Sequence, residues 1–510
     1  MKDTFYITTP IYYPNDVPHI GHAYTTVATD FIARYHRLRG EDVFFLTGTD
    51  EHGLKLQRAA EAGGQTPKAF VDEMEPRWRE VWERLEIAYT DYIRTTEARH
   101  HSAVQRLLTA VYENGRDDIY LGTYEGLYCV SCELYYSEDE LIDGLCPIHK
   151  RPVERMAEEN YFFRLSAYQD RLLEYYEQHP EAVDPDYRRN EVLSLIKGGL
   201  QDFSISRTSF DWGIPLPWDP KHVTYVWFDA LTNYITAAGY GSDPELFGRI
   251  WPANAHMIGK DIIRQHAVYW PAMLMAADVE PPQKVVVHGY LLVGGEKMSK
   301  TRLTGIHPFQ LTDHFGVDGY RYYFLREIRF GQDGNFSWES MLARYNADLA
   351  NGLGNLASRV LAMCDSYFDG RVPEPSNRSG GRLTDAAQTL AKRFHEHVAA
   401  FELTDAVATL DAFVREANRY LVEVAPWNLA KDSQRRAELA DALYEALEAL
   451  RIIAVFAFPV MPVASAKLWN QLGLSGSPEV ERLPDAASWG GLEPGTETHR
   501  GDSLFPRLED

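Results

Sequence analysis

Strand–helix alternation that stops near residue 116 and resumes near Tyr225 limits what this chain can fold into more than any other feature. Phe5-Tyr6-Ile7 reads as a buried strand, Ala23 to Arg39 as a helix and Val43-Phe44-Phe45-Leu46 as a second buried strand, the order of a βαβ unit. The pattern breaks at a cysteine-bearing stretch, then continues from Tyr225 to about Leu325, with Val285-Val286-Val287 as a further apolar strand. This reads as a doubly wound α/β sheet split by an inserted domain. After about Trp338 long helical patterns take over: Leu342 to Phe368, Thr384 to Phe401, Thr404 to Val424 and Gln434 to Phe456. They predict a helical bundle. The expected division is 1–115 and 225–338 for the two halves of the doubly wound domain, 116–224 for the insertion, and 339–510 for the helical domain and a tail. From about Ser475 that tail is rich in Gly and Pro and is expected to wrap over another surface.

Composition narrows the class. The 510 residues exceed what one core accommodates. The longest apolar run, near Ile452 to Ala464, contains two prolines and falls short of the roughly 18–20 residues that span a bilayer. The N-terminus lacks the pattern of a signal peptide. Four cysteines do not make a disulfide framework at this length, so a cytoplasmic location is expected. A net charge of −23 argues against indiscriminate nucleic-acid binding but leaves room for one RNA partner on a local basic face.

Two short segments carry chemistry. His19-Ile20-Gly21-His22 follows the first strand and opens a helix, where free backbone N–H groups and the dipole favour an anion. Gly21 permits close approach, and the imidazoles can donate to phosphate. Lys297-Met298-Ser299-Lys300-Thr301 follows Val285–Val287 and a glycine-containing loop. Lysines on such a loop suit a phosphorus whose negative charge peaks in the transition state. Alone, a His-x-x-His pair is more often structural, and a Lys-x-x-Lys loop is usually a solvated surface.

Cys129-x2-Cys132, thirteen residues, then Cys146-x2-His149 has the donor types and spacing of a closed tetrahedral zinc site. Four protein ligands leave no open position, so the metal is expected to be structural. The alternative is a set of unliganded thiols. Cys364 reads as a small buried hydrophobe.

The two phosphate-type segments together resemble the ATP-binding signatures of class I aminoacyl-tRNA synthetases. Over nearly its full length the chain resembles the bacterial methionyl-tRNA synthetase family. The resemblance rests on Thr8-Thr9-Pro10-Ile11-Tyr12-Tyr13, Thr47 to Gly53, Val226-Trp227-Phe228-Asp229-Ala230-Leu231, Ile258-Gly259-Lys260-Asp261-Ile262, Asn355 to Arg359 and Ala425-Pro426-Trp427, besides the two signatures. It implies a split Rossmann-like catalytic domain with a zinc-bearing connective peptide, followed by a helical anticodon-binding domain. It implies His19, His22, Lys297 and Lys300 as catalytic residues, with Gly21, Gly259 and Asp261 completing the ATP site. Asp50 would pair with the α-ammonium of methionine, and Ile11, Tyr13, Trp227, Ala230, Leu231, Tyr234, Ile262 and His266 match the rest of its pocket. Asn355, Arg359 and Trp427 match the anticodon-reading positions, although from spacing alone Trp427 would be a helix-packing residue.

The activity implied is methionine–tRNA ligation, with ATP and Mg2+, for initiator and elongator methionine tRNA. The chain ends soon after the helical region, so a monomer without a membrane partner is expected. A synthetase for leucine, isoleucine or valine would carry a larger insertion, and a non-catalytic tRNA-binding paralogue would be expected to lose one of the two signatures. Loss of the metal is expected to affect tRNA charging more than methionine affinity. Thr301 stands where the family often has serine, and Arg302-Leu303-Thr304-Gly305 departs from the commonest continuation of that loop.

Overall fold

The computed structural model describes residues 4–136, 138–148, 150–293, 296–297, 306–378 and 380–509. His149 and the 298–305 part of the second signature, Lys300 included, lie outside the described residues.

The chain opens with β1 (Thr4–Thr8), α1 (Ile20–Leu38), β2 (Asp42–Thr49), α2 (Leu54–Ala62), α3 (Pro67–Arg84), β3 (Asp91–Arg94) and α4 (Ala98–Tyr112). An antiparallel insertion follows, β4 (Ile119–Cys129), β5 (Leu134–Tyr136) and β6 (Glu154–Phe163), and after β7 (Val183–Asp184) it is completed by β8 (Phe203–Ser204). β9 (Ser206–Arg207) pairs with β10 (Val223–Thr224) before the chain re-enters the main body at β11 (Ala255–Gly259) and β12 (Val285–His288). The main sheet has six parallel strands in the order β3-β2-β1-β11-β12-β7. The inserted stretch is therefore not wholly separate: Val183 pairs with Val285 and extends the central sheet.

Successive residues of the strands enter different cores. Phe5, Ile7, Phe45, Met257 and Val286 join one apolar cluster, while Tyr6, Leu46, Ile258, Val285 and Val287 join another. A parallel sheet covered on both faces requires such continuous apolar runs. The first cluster continues through α1 into the helices Asn355–Phe368, Thr384–Ala399, Leu403–Val424 and Arg436–Ala457, so sheet and bundle share one core. A buried charge cluster reinforces the junction. Arg321 donates to Asp30 at 2.6 Å and to the carbonyls of Leu85, Pro459 and Val460, while Arg34 donates to Asp30 at 2.7 Å. The tail wraps as expected. Leu483 N–H donates to the Leu38 carbonyl at 2.7 Å, and the Gly490, Gly491 and Leu492 N–H groups converge on the Glu448 carboxylate. Among the described residues no helix is long and apolar enough to cross a membrane.

Candidate active site

In the strand order, the chain reverses direction between β1 and β11, and an open α/β sheet binds ligands at such a point, beyond the carboxyl ends of its strands. A cavity of about 480 Å³ lies there. Every strand that borders it supplies residues just past its end: Ile11 and Tyr13 after β1, Asp50 after β2, Asp261 and Ile262 after β11, Gly289 to Leu291 after β12. Helix α1 adds His19, Gly21 and His22, and the segment 227–234 adds Trp227, Ala230, Leu231 and Tyr234. All the residues expected at the methionine end line this one cavity, as do His19, Gly21, His22, Gly259 and Asp261. A larger cleft of about 890 Å³ lies beside the insertion and includes none of them.

The start of α1 differs from expectation. His19 is its N-cap and folds back so that Nδ1 accepts the Gly21 N–H at 3.1 Å, while His22 Nδ1 accepts the His19 N–H at 3.3 Å. Ile20 N–H is taken by the Ile306 carbonyl. These amides are consumed internally, so they are not the anion-binding groups. An imidazole that accepts at Nδ1 carries its proton on Nε2, the nitrogen that can donate to a phosphate. The rings stack with centroids 3.7 Å apart. A Cβ on residue 21 would meet His19 Cε1 at 2.9 Å, so Gly21 is what lets the imidazole fold over the helix start. At the end of β11 a Cβ on Gly259 would meet Asp261 Oδ1 at 2.7 Å. Lys297 pairs with Leu292 in a short antiparallel ladder.

At the other end, His266 lies in a π-helical turn, Gln265–Tyr269. Its Nδ1–H donates to the Ile262 carbonyl at 2.9 Å, and its Nε2 accepts from the Tyr234 hydroxyl at 2.7 Å. Burial lowers its pKa to about 4, which keeps the ring neutral and this polarity fixed. Asp50 is buried, and its Oδ1 has no hydrogen-bond partner among the described residues. Burial above all, and the charges of Asp229 and Glu133, push its carboxyl well above the usual carboxylate range. A buried carboxylate oxygen left unpaired beside a cavity is costly unless a cationic donor arrives.

Several residues around the cavity went unnoticed in the sequence. Asp229 is fully buried and accepts from His52 Nδ1 at 2.6 Å and His100 Nε2 at 2.7 Å. Burial opposes its charge, yet the two imidazoles hold it well below the usual carboxylate range. His52 and Asp229 sit in two of the motifs already quoted, so co-occurrence was the available signal. His288 Nε2 accepts from Thr25 at 2.8 Å, and its ring borders the cavity. Gln265 and Asn233 line it with buried carbonyl oxygens that have no partner among the described residues.

The thiol cluster is close by. Cys129 ends β4, Cys132 lies in the turn to β5, and Cys146 opens a second tight turn in which Lys150 N–H returns to the Cys146 carbonyl. The three Sγ atoms lie within 4.8 Å of one another, with Cys132 and Cys146 3.6 Å apart. The hydrogen bond with Cys129 and burial push the Cys132 thiol upward. A cation is what turns such a crowd of thiols into stable thiolates, so this donor set fits a soft divalent metal. Ser131, Cys132, Ile148 and Arg151 also line the amino-acid cavity, so the cluster is part of its wall.

On the bundle, Asn355 and Arg359 stand one turn apart on the helix Asn355–Phe368, and Asn355 is exposed. The Arg359 guanidinium lies 5.4 Å from the Trp427 ring centroid. Trp427 follows Ala425, whose φ of 47° turns the chain between helices, and it is 36% exposed. It is therefore not the buried packing residue that spacing alone suggested.

A family model described as tRNA synthetases class I (M) matches residues 5–157 and 140–361, and one described as the anticodon binding domain of methionyl tRNA ligase matches 372–510. The chain is 51% identical to a methionine–tRNA ligase of Streptomyces coelicolor, over 99% of this chain and 97% of that protein. It is 49% identical to one of Caldanaerobacter subterraneus subsp. tengcongensis, over 100% of this chain and 80% of that one. A structure of Mycobacterium tuberculosis methionyl-tRNA synthetase in complex with methionyl-adenylate superimposes with a TM-score of 0.95 at 45% identity, covering 99% of this chain and 100% of that one. A cavity at the topological switch point, with the first signature at its edge, and the matching family model place the chain among class I aminoacyl-tRNA synthetases. Within that class, the chain belongs to the methionyl-tRNA synthetase family.

Proposed function

We propose that this cavity joins methionine to ATP and that the chain then transfers the methionyl group to the 3′-terminal adenosine of methionine tRNA. The observation that carries this reading is the Asp50 oxygen without a partner among the described residues, which shares one cavity with an aromatic pocket and the His19 and His22 imidazoles. Asp50 takes the α-ammonium by a charge-assisted hydrogen bond. Ile11, Tyr13, Trp227, Ala230, Leu231, Tyr234, Ile262 and His266 surround the thioether, which aromatic rings hold through sulfur contacts.

The methionine carboxylate, so held, attacks the α-phosphorus of ATP and pyrophosphate leaves. His19 and His22 donate from Nε2 to the developing phosphate charge, and Gly21, Gly259 and Asp261 border the nucleoside. Lys297 and Lys300 supply positive charge in the transition state. The tRNA hydroxyl then attacks the activated carbonyl and adenylate departs. Positioning and charge suffice, and no covalent enzyme intermediate is required. Magnesium arriving with ATP would supply charge neutralisation at the phosphates, without a dedicated protein cage.

Cys129, Cys132 and Cys146, with His149 as the fourth donor, hold a structural zinc. A bound divalent metal would keep these thiols ionised, and the 3.6 Å between Cys132 and Cys146 supports this reading. Asn355, Arg359 and Trp427 read the anticodon of initiator and elongator tRNA by stacking and hydrogen bonding. The enzyme works in the cytoplasm as a monomer, which sedimentation of the purified chain tests.

ATP–pyrophosphate exchange measured with each amino acid tests the central reading. Exchange with methionine alone is expected, and exchange driven equally by leucine or isoleucine would overturn the assignment.

A further inference from the structure

Glu133 extends from the thiol knuckle into the loop that presents Asp50. It directly follows Cys132, has φ of 50° and is 1% exposed. Its Oε1 accepts the Lys55 N–H at 2.8 Å, and its own carbonyl accepts the Tyr225 hydroxyl at 2.5 Å. Lys55 is the second residue of α2, and the N-cap of that helix is Gly53, which has no side chain to satisfy the first amides. An N-cap side chain normally serves the second or third amide of a helix. Glu133 serves it here from another domain. A Cβ on residue 53 would meet a Glu133 carboxylate oxygen at 2.6 Å, so the bare glycine is what admits the foreign cap.

The Asp50 loop is held on both sides of this point. Upstream, Asp50 N–H donates to the Tyr12 carbonyl at 2.9 Å and Glu51 N–H to Thr95 at 2.9 Å. Downstream, Glu133 fixes the start of α2, and Lys55 doubles the tie. Its Nζ donates to the Ser131 carbonyl at 3.3 Å and sits 4.4 Å over the ring of Tyr13, itself a cavity residue. We propose that Glu133 is a positioning residue for the amino-acid end of the cavity: by capping α2 across domains it fixes the loop that presents Asp50, and through it the thiol knuckle sets the affinity for methionine. The inference rests on the assignment of Asp50 to the α-ammonium.

Calorimetric titration of methionine alone into the full chain tests it, because binding is read without turnover. Three substitutions separate reach from charge. Glu133→Gln keeps an acceptor at the same reach, Glu133→Asp keeps the charge but falls short, and Glu133→Ala keeps neither. Glu133→Asp and Glu133→Ala should weaken methionine binding about tenfold, the scale of a lost cap and an unpaired buried amide. Glu133→Gln should stay within about threefold, since a neutral acceptor still satisfies the amide. ATP affinity, read at the far end of the cavity, should be unchanged in all three. A Glu133→Asp protein that binds normally while Glu133→Gln fails would show that charge acts, and would overturn the positioning role. Normal binding by all three alongside a crippled Asp50→Asn would overturn it too. Normal binding by Asp50→Asn would remove the underlying assignment, and this inference with it. Should Glu133→Ala lose methionine and ATP together through misfolding, the Gln and Asp variants decide.

Discussion

Beside the cavity, the buried Tyr234 and His266 form a chain of hydrogen bonds that ends on the Ile262 carbonyl, whereas on the bundle Asn355 and Trp427 lie open to solvent. The first region has its donors and acceptors oriented before any ligand arrives, and one carboxylate oxygen left wanting. The second offers an indole face and a guanidinium whose hydrogen-bonding geometry is set by the partner. A small, flexible amino acid makes few contacts, so its selection depends on buried groups for which a wrong occupant leaves unpaired atoms. An unpaired RNA loop brings broad base faces, and stacking on an exposed ring suffices. On this comparison, damage to the cavity should be steep and felt before any RNA is involved, while damage to the patch should be graded and confined to charging.

The sharpest test is Asp50→Asn. An unpaired buried ammonium costs roughly 3–5 kcal/mol, so methionine affinity and pyrophosphate exchange should fall by about two to three and a half decades. The pH dependence follows from the raised carboxyl. The charged form binds the ammonium and is present above the folded pKa. Methionine affinity should therefore decline on acidification while an ordinary carboxylate would still be ionised, and this slope should vanish in Asp50→Asn. Titration across the acid range reads it. A flat wild-type profile would mean that another group holds the ammonium.

Next in size is Trp427→Ala. Stacking on an aromatic ring is worth about 1–3 kcal/mol per base, so charging should fall by about one to two decades while exchange stays normal. Measuring both steps on one preparation decides the matter. A joint collapse would make Trp427 part of the fold, and the two regions would no longer be independent. Smaller again is Cys146→Ser, which should release the metal and, because Cys132 and Ser131 wall the cavity, weaken methionine binding about tenfold. Metal analysis with calorimetry reads both effects. Intact methionine affinity in the metal-free protein, with charging impaired, would match the expectation that metal loss affects tRNA charging more than methionine affinity.

The elements were legible where local periodicity specifies them. The apolar runs at Phe5 and Val285 and the helical stripes beyond Leu342 are patterns any window of the chain contains, and the doubly wound sheet with its bundle follows from them. The residues that the motifs brought forward, among them His19, Asp50 and His266, line one cavity. What was not legible depends on contacts between distant segments. Asp229 meets His52 across 177 positions, and a buried carboxylate with two imidazoles has no local signature. Val183–Asp184 is too short to read as a strand until β12 offers it an edge. The fate of the amides at the start of α1 turned on a rotamer, since the His19 ring could equally have faced outward. Glu133 looked like one more acidic residue beside a cysteine, because the helix it caps starts far away in sequence.

The smallest expected effect concerns Arg359, and it asks whether the patch is one feature or several. Its guanidinium lies over the Trp427 ring at 5.4 Å, close enough for a cation–π contact worth about 0.5–1 kcal/mol at an exposed site. Arg359→Ala should therefore lower charging only a few-fold if its whole task is to hold the indole in place. In that case the double variant with Trp427→Ala should charge no worse than Trp427→Ala alone, since the ring it supported is gone. If Arg359 instead donates directly to a base or phosphate, the two losses should multiply. Residues in contact seldom behave additively, so the double-mutant cycle discriminates where either single variant does not. Arg359→Lys refines the answer. A lysine retains charge but not the planar fork, so it should support the ring but fail at a bidentate contact. Multiplicative losses with a defective lysine would place a specific RNA contact beside the stacking ring, and the patch would then recognise by orientation as the cavity does.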